Sequence, residues 1–201
     1  TGAHQKVGNW PGVTVEKKEG LVTYHGNKLK IIDLPGTYSL TPFSIEEIVA
    51  RNFILEEHPD VVIDIIDASN LERSLYLATQ LREIDCRVIF ALNMADMAQS
   101  RGIRIDAEKL GELLDVPVVF TVGNRNEGVD ELLRTAVDLA QTEFHIPQGR
   151  RVKYSPDIET AISRLQEFFD HHLASRLPHN PRWTAVKLLE NDSVAHAGIH
   201  V

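Results

Sequence analysis

The sequence has few of the features that mark several classes of protein. Its 201 residues include a single cysteine, which excludes a disulfide framework, and we expect Cys86 to be a small apolar side chain in a reducing compartment. No run approaches the roughly 18 apolar residues that a membrane-spanning helix needs. We therefore expect a soluble piece with no membrane span or signal peptide among these residues.

Basic clusters are missing as well. The sequence has 21 lysine and arginine residues against 29 aspartate and glutamate residues, and the two signs are interspersed with a net charge of −8. Because nucleic acid attracts basic patches, it is not expected to be a primary partner. The hydrophobic fraction of 43% is enough for the core of one α/β domain of about 150 residues with a small appendage.

From residue 60 onward, strand-like and helix-like patterns alternate. Near-continuous valine and isoleucine runs separated by helices are typical of a parallel sheet covered on both faces. In such sheets, ligands bind beyond the carboxyl ends of the strands. In chain order we predict a strand at 61–66, a helix at 71–83, a strand at 87–92, a helix at 107–114, a strand at 117–120 and a helix at 129–142.

The segments before residue 44 are less regular. Residues 1–10 show no period and are predicted to be a loop. Strand-like runs at 21–25 and 28–34 are separated by Gly26 and Asn27, a two-residue turn signal, and so we predict an antiparallel hairpin. The stretch 37–43 lacks a period and is predicted to be a mobile loop.

Helix-start signals frame the rest of the chain. Ser44 and Glu47 form a capping box that opens a helix through about residue 56. After a predicted linker at 147–153, Pro156 occupies the first position of another helix, and a further helical pattern resumes at Trp183. We expect this helical appendage to pack on the α/β domain, because it is too short to hold a core alone.

The first candidate site follows the second strand of the predicted hairpin. Asp33 and Gly36 form a D-x-x-G pattern, in which the carboxylate can hold hydrated Mg²⁺ and the glycine N–H can approach a terminal phosphate. By itself, the same pattern is an ordinary turn. Thr14, within the segment 12–15, is usually read as a strand residue, but its hydroxyl is available to the same Mg²⁺ if Asp33 has this role.

The second candidate site follows the predicted strand at 87–92. In the N-x-x-D pattern of Asn93, Met94 and Asp96, the aspartate can accept hydrogen bonds from guanine N1–H and N2–H₂, while Asn93 braces neighbouring loops. Adenine offers an acceptor and a C–H there, which would leave Asp96 desolvated and unpaired at a cost on the order of a few kcal/mol. Taken alone, a helix cap or turn explains the same residues.

A third segment, Thr121, Val122 and Gly123, follows the predicted strand at 117–120, where a backbone N–H can meet guanine O6. The threonine loop, D-x-x-G, N-x-x-D and this strand-end turn thus occur in a fixed order, each beside a strand of an alternating α/β chain. This order predicts a guanine-nucleotide site that takes GTP or GDP.

The stretches 8–16, 33–40 and 67–73 closely resemble the cytoplasmic G domain of the ferrous iron transport protein B family, and 183–190 resembles that family's helical domain. The resemblance covers essentially the whole chain. It implies a Ras-like P-loop GTPase fold in residues 1–146, with a mostly parallel sheet and an antiparallel edge hairpin. It implies that residues 147–201 form a small all-helical domain, described as damping nucleotide release.

The resemblance further implies a bacterial inner-membrane ferrous iron transporter whose G domain, on the cytoplasmic face, binds GTP and Mg²⁺. Its implied partners are the nucleotide and the transporter's own membrane domain, and a homo-oligomer is left open. Carried over by position, Thr14 would be the first-switch threonine, Asp33 the water-mediated Mg²⁺ ligand, Gly36 the γ-phosphate sensor, Asn93 and Asp96 the base-recognising pair, and 121–123 their support.

The sequence departs from that family in its phosphate loop. The pattern G-x-x-x-x-G-K-[ST] occurs nowhere in the 201 residues. The homologous region would lie just before Thr1, and we expect that the sequence belongs to a longer protein. Loss of the loop's hydrogen bonds would cost nucleotide binding at least about 5 kcal/mol. The missing strand before it would open the sheet between its neighbours.

The second departure concerns hydrolysis. Many G proteins place a water-orienting glutamine directly after D-x-x-G, whereas this sequence has Thr37, and no arginine finger is evident. We therefore predict slow hydrolysis, with water positioned by backbone groups and, as the resemblance implies, by K⁺. Two other functions stay open: a ribosome-assembly type of GTPase, and a nucleotide-free interaction module that docks on a membrane partner.

Overall fold

A computed structural model describes residues 4–84, 86–142, 152–173, 177 and 179–199. Within these ranges the chain forms two three-stranded sheets, helices around them and a helical carboxyl-terminal part. The elements are β1 His4–Asn9, β2 Glu16–Tyr24, β3 Asn27–Asp33, α1 Ile45–Glu57, β4 Val62–Asp67, α2 Leu71–Glu83, β5 Val88–Asn93, α3 Ala95–Ser100, α4 Ala107–Leu114, β6 Val118–Phe120, α5 Val129–Gln141, α6 Pro156–His172, α7 Pro181–Leu189 and α8 Ser193–Gly198.

The first sheet is antiparallel, in the order β1-β2-β3. The prediction of a loop at 1–10 is wrong for residues 4–9, because β1 pairs with β2 from His4 opposite Leu21 to Asn9 opposite Glu16. The predicted hairpin is confirmed, but its turn lies one residue earlier, at His25 and Gly26. Both turn residues have left-handed backbone angles, with φ of 44° and 83°, which suits the twist of a tight hairpin.

The second sheet is parallel, in the order β4-β5-β6. Its register places Asp67 opposite Asn93 and Leu92 opposite Phe120, so the three carboxyl ends lie at one edge. All residues of β5 except Asn93 are buried, as expected for a central parallel strand covered on both faces. The predicted α/β alternation is confirmed, and α2 and α4 have the predicted bounds.

The main hydrophobic core lies between the parallel sheet and its helices. Phe90 and Leu92 of β5 are fully buried there, together with Ala78 and Leu81 of α2. Trp183 of α7 belongs to the same core and is only 3% exposed. The helical part therefore packs on the α/β part, as predicted.

The helical part also has a small core of its own, formed by Ile162, Phe169, Leu173, Ala185 and Val186. Two sets of charged contacts join it to the α/β part. On one side, Arg51 of α1 forms a fully buried ion pair with Asp192, which caps α8. On the other, Arg182 of α7 is bound to Glu159 of α6 and pairs with Glu83 of α2 at 3.6 Å.

Between the two sheets the strand ladder is interrupted. β3 and β4 share no ladder within the described residues. Within the described ranges, every helix is too short or too polar to span a lipid bilayer. Of the predicted linker, only residues 152 and 153 fall inside those ranges.

Candidate nucleotide-binding site

The loop between β1 and β2 carries Gly12, Val13, Thr14 and Val15. The Trp10 N–H donates to the Val15 carbonyl at 2.9 Å, and the Val13 N–H donates to the Trp10 carbonyl at 3.3 Å. Gly12 has a φ of +77°, which favours glycine at this turn. Trp10 is buried against Phe53 of α1, with ring centroids 5.3 Å apart. The loop is therefore closed by hydrogen bonds and anchored on α1, while Thr14 is exposed.

Asp33 is the last residue of β3 and lies opposite Lys18, near the start of β2. The register thus places Asp33 and the Thr14 loop at the same end of the antiparallel sheet. Both side chains are exposed, and they supply carboxylate and hydroxyl oxygens, the kind of ligand that Mg²⁺ prefers. Gly36 is exposed, and no atom lies within 4 Å of the place a Cβ would take. The donor set and the open space beside Gly36 therefore fit Mg²⁺ and a phosphate.

The segment 37–43 forms neither helix nor strand, as predicted, and it is held at several points. Leu40 is buried, and its N–H donates to the Gln80 side chain of α2 at 2.6 Å. The Ser39 hydroxyl donates to Glu47. The Tyr38 ring lies 3.7 Å from the Arg73 guanidinium, a cation–π contact. The segment after Gly36 is therefore held by α1 and α2.

The capping box that opens α1 is confirmed. The Glu47 N–H donates to the Ser44 hydroxyl at 3.2 Å, and the Glu47 carboxylate accepts from the Ser44 N–H at 3.1 Å. Glu46 lies in the first helical turn, where a negative charge is favoured by the helix dipole. Both acidic residues thus have a structural role at the start of the helix.

Asn93, the last residue of β5, braces the loop that follows β6. Its side-chain oxygen accepts from the Gly123 N–H at 3.0 Å and from the Thr121 hydroxyl at 3.4 Å. Thr121 is buried, and its N–H donates to the Leu92 carbonyl at 2.9 Å. The predicted brace between the N-x-x-D segment and residues 121–123 is therefore present.

Asp96 lies in the first turn of α3. Met94 is the residue that precedes this helix, and it has a left-handed φ of 57°. One carboxylate oxygen of Asp96, Oδ1, accepts from the Met97 N–H at 2.9 Å. The other, Oδ2, lies 3.4 Å from Nη2 of Arg125. The side chain is 31% exposed, so it remains accessible to a ligand at this edge of the sheet.

Arg125 is the residue of this site that the sequence analysis missed. It ends the short 3₁₀ turn Gly123–Arg125, and its N–H donates to the Val122 carbonyl at 2.9 Å. Its sequence context shows one basic residue in a polar loop, a pattern too common to indicate a partner.

The loop 121–128 has a fixed shape. Val122 is buried and forms an antiparallel bridge with Glu127. Gly128 has a φ of +74°, and a Cβ there would lie 2.0 Å from the Phe120 carbonyl oxygen. A Cβ on Gly123 would approach the Asn93 side-chain oxygen to 3.4 Å. The two glycines therefore let the loop close tightly on β6 and on Asn93.

The site consists of two halves, with the Thr14 loop, Asp33 and Gly36 in one and the 93–96 and 121–123 segments in the other. No hydrogen bond joins the halves among the described residues. They flank the interruption between β3 and β4, where Ile65 is 69% exposed. On the opposite face of β4, burial raises the pKa of Asp64 to about 6.

Comparison with known proteins identifies the family of the chain. The family model described as "Ferrous iron transport protein B" matches residues 1–136, and that described as "FeoB cytosolic helical domain" matches residues 154–200. The chain belongs to the ferrous iron transport protein B family. The expected resemblance is thereby confirmed, and the alternative of a ribosome-assembly GTPase loses its support.

Curated relatives show the same membership. The chain is 43% identical over 193 residues to the "Fe(2+) transport protein A/Fe(2+) transporter FeoB fusion protein" of Porphyromonas gingivalis, covering 96% of this chain and 23% of that protein. It is 40% identical over 205 residues to the "Fe(2+) transporter FeoB" of Salmonella typhimurium, covering 98% and 26%. The chain thus spans about a quarter of the length of these relatives.

Solved FeoB structures share the fold. The cytosolic domain of T. maritima FeoB in its GMPPNP form superposes with a TM-score of 0.90 at 40% identity, covering 98% of this chain and 76% of that one. The same domain in a GDP form gives a TM-score of 0.89 at 41% identity, covering 98% and 76%. The predicted fold class, an α/β G-domain fold followed by helices, is therefore confirmed.

Proposed function

We propose that this chain binds guanine nucleotide with Mg²⁺ and hydrolyses GTP slowly, as the cytoplasmic part of a bacterial inner-membrane ferrous iron transporter. The observation that carries the proposal is the brace at the carboxyl ends of β5 and β6, where Asn93 holds Thr121 and Gly123 beside Asp96. GDP and GMPPNP forms of a FeoB cytosolic domain with the same fold support it.

The base is recognised by the second half of the site. Asp96 accepts hydrogen bonds from guanine N1–H and N2–H₂. Residues 121–123 support the pocket, but their own backbone N–H groups donate to Leu92, Glu127 and Asn93, so the predicted contact of one of them with guanine O6 is not available in this arrangement. Because Asn93 already fixes that loop in the absence of ligand, little conformational entropy is lost on binding. Adenine leaves the Asp96 carboxylate without donors, and so the pocket discriminates against it.

The phosphates are bound by the first half. Thr14 and Asp33 would hold Mg²⁺, directly and through water, and Mg²⁺ would neutralise charge on the phosphate oxygens. The exposed N–H of Gly36 would detect the terminal phosphate. Because Asp33 ends a strand and Gly36 precedes the anchored segment 37–43, loss of that phosphate would be transmitted to α1 and α2.

Slow hydrolysis follows from the residue after Gly36. Thr37 is half-buried and cannot orient water as a glutamine does. We propose that backbone groups, with K⁺ as an activating monovalent cation, position the attacking water. Tight binding of the phosphates requires a phosphate loop in addition, and its pattern does not occur in these residues.

The assignment of two domains along the chain is part of the same proposal. We assign residues 1–146 to the G domain and 147–201 to a helical domain that slows nucleotide release. The transporter's own membrane domain would be the partner that senses the nucleotide state at the cytoplasmic membrane face, with regulation or driving of Fe²⁺ uptake as the result. A homo-oligomer is compatible with this assignment, and nucleic acid is not.

The test is a fluorescence titration of the purified protein with labelled GDP and labelled ADP in the presence of Mg²⁺. We expect micromolar or tighter binding of GDP, at least about a hundredfold weaker binding of ADP, and loss of the preference in Asp96→Ala. Equal affinity for both nucleotides would refute guanine recognition.

A second candidate function is an interaction module that binds no nucleotide. The absence of a phosphate-loop pattern from the 201 residues is the observation that favours it. In the same titration, this function requires that neither labelled nucleotide binds.

A further inference from the structure

We propose that Arg125 competes with guanine for the carboxylate of Asp96 and thereby lowers the affinity of the site for nucleotide. The inference rests on the proposed function, because it takes Asp96 as the residue that reads the base. It adds an affinity-determining residue that lies outside the N-x-x-D pattern and outside residues 121–123.

The Asp96 carboxylate can accept further hydrogen bonds beyond the one from its own helix. Its Oδ1 is engaged by the Met97 N–H of its own helix at 2.9 Å. Its Oδ2 faces Arg125, with a distance of 3.4 Å to Nη2. The carboxylate is therefore next to a cation.

Arg125 offers Asp96 the same chemistry as guanine. A guanidinium presents N–H donors side by side on a flat group, and the N1–H and N2–H₂ edge of guanine does the same. Both use Oδ2, and Oδ1 keeps a second lone pair for another donor beside the Met97 N–H. When the base enters, the Arg125 side chain must leave the carboxylate.

The Arg125 side chain is free to change its conformation, whereas its backbone is fixed. Its backbone N–H is bound to the Val122 carbonyl, and the next residue, Asn126, donates to the Gly123 carbonyl at 3.3 Å. The guanidinium end is 59% exposed, and so it can swing into solvent without unfolding the loop. Displacement by nucleotide therefore involves one side chain and leaves the brace between Asn93 and Gly123 in place.

The expected effect is modest, because exposed ion pairs are weak and screened by salt. Removing Arg125 should lower the Kd for GDP about two- to fivefold, mostly through a faster association step. The gain should shrink as ionic strength rises, since salt weakens the pair in the unmutated protein.

The experiment measures Kd for labelled GDP in the protein and in Arg125→Gln, at low and at high salt. Arg134→Gln is the matched control, because it removes the same charge. Arg134 lies on α5, is 64% exposed and pairs only weakly with Glu131, at 4.0 Å. We expect tighter binding in Arg125→Gln, no change in Arg134→Gln, and no effect of Arg125→Gln when it is added to Asp96→Ala.

Two outcomes would overturn the inference. Weaker GDP binding in Arg125→Gln would mean that the arginine contacts the nucleotide, and an unchanged Kd would mean that the ion pair does not compete. In both cases the unmutated protein still binds GDP in preference to ADP, and the proposed function stands. If the unmutated protein binds no GDP, the proposed function fails and the inference fails with it.

Discussion

The ion pair between Arg51 and Asp192 should dominate the stability of the contact between the two parts of the chain. Nη1 of Arg51 lies 2.9 Å from Oδ2 of Asp192, and the two side chains are only 1% and 2% exposed. Asp192 also caps α8, since its Oδ1 accepts from the N–H groups of Val194 and Ala195, both at 3.0 Å. One carboxylate thus neutralises a buried cation and begins a helix.

Asp192→Ala removes both functions. Breaking a buried pair leaves an uncompensated charge and costs about 3–5 kcal/mol, and loss of a helix cap costs about 0.5–2 kcal/mol. We therefore expect a loss of about 3.5–7 kcal/mol in the free energy of unfolding. Asp192→Asn keeps the capping oxygen and should lose about 3 kcal/mol, at the low end of the range for the broken pair alone.

The assay is urea unfolding followed by circular dichroism and by the fluorescence of the two tryptophans, Trp10 and Trp183, which are 7% and 3% exposed. Asp157→Ala, an exposed change in the first turn of α6, serves as a control and should cost less than about 1 kcal/mol. Arg51→Met with Asp192→Asn removes both charges and should recover most of the loss seen in Asp192→Asn. A loss below about 1 kcal/mol in Asp192→Ala would refute the reasoning.

Three further predictions follow from single residues. The raised pKa of Asp64 means that the folded state favours its protonated form, so the free energy of unfolding should fall as pH rises from about 4 to about 6. Asp64→Asn should therefore raise the free energy of unfolding at pH 7.5 by up to about 3 kcal/mol. An equal gain at pH 4 would contradict this explanation. Gly128→Ala should lower the melting temperature and weaken GDP binding, because its Cβ would meet the Phe120 carbonyl oxygen. Gly102 has the same φ of +74° but open space around it, so Gly102→Ala should lower the free energy of unfolding by only about 1 kcal/mol. Thr37→Ala should change the single-turnover rate of GTP hydrolysis by less than about tenfold, and a hundredfold loss would show that Thr37 positions the water.

Most of the helices could be predicted from the sequence because their signals are local, whereas the short helices α3 and α8 were not predicted. The bounds of α2 and α4 follow from apolar spacing, and the start of α1 follows from Ser44 and Glu47, three residues apart. By contrast, β1 has a single large apolar residue, Val7, and becomes a strand because β2 pairs with it. No local pattern contains that pairing.

The same distinction explains the site. Asn93 could be placed as a brace because the motif and the parallel register bring strand ends together. The contacts of segment 37–43 could not be predicted, because Leu40 and Tyr38 are held by Gln80 and Arg73, which are more than 30 residues away in the chain. Arg125 was missed for the same reason, since its contact with Asp96 exists only once two loops have folded beside each other.

The free edge of β4 has a practical consequence for work in solution. Among the described residues β4 pairs only with β5, so the other side of the strand presents unpaired backbone groups, with Ile65 exposed beside them. Such an edge adds further strands readily and is a common starting point for aggregation. A preparation in which nothing covers this edge should associate more strongly as its concentration rises, whether or not nucleotide is present.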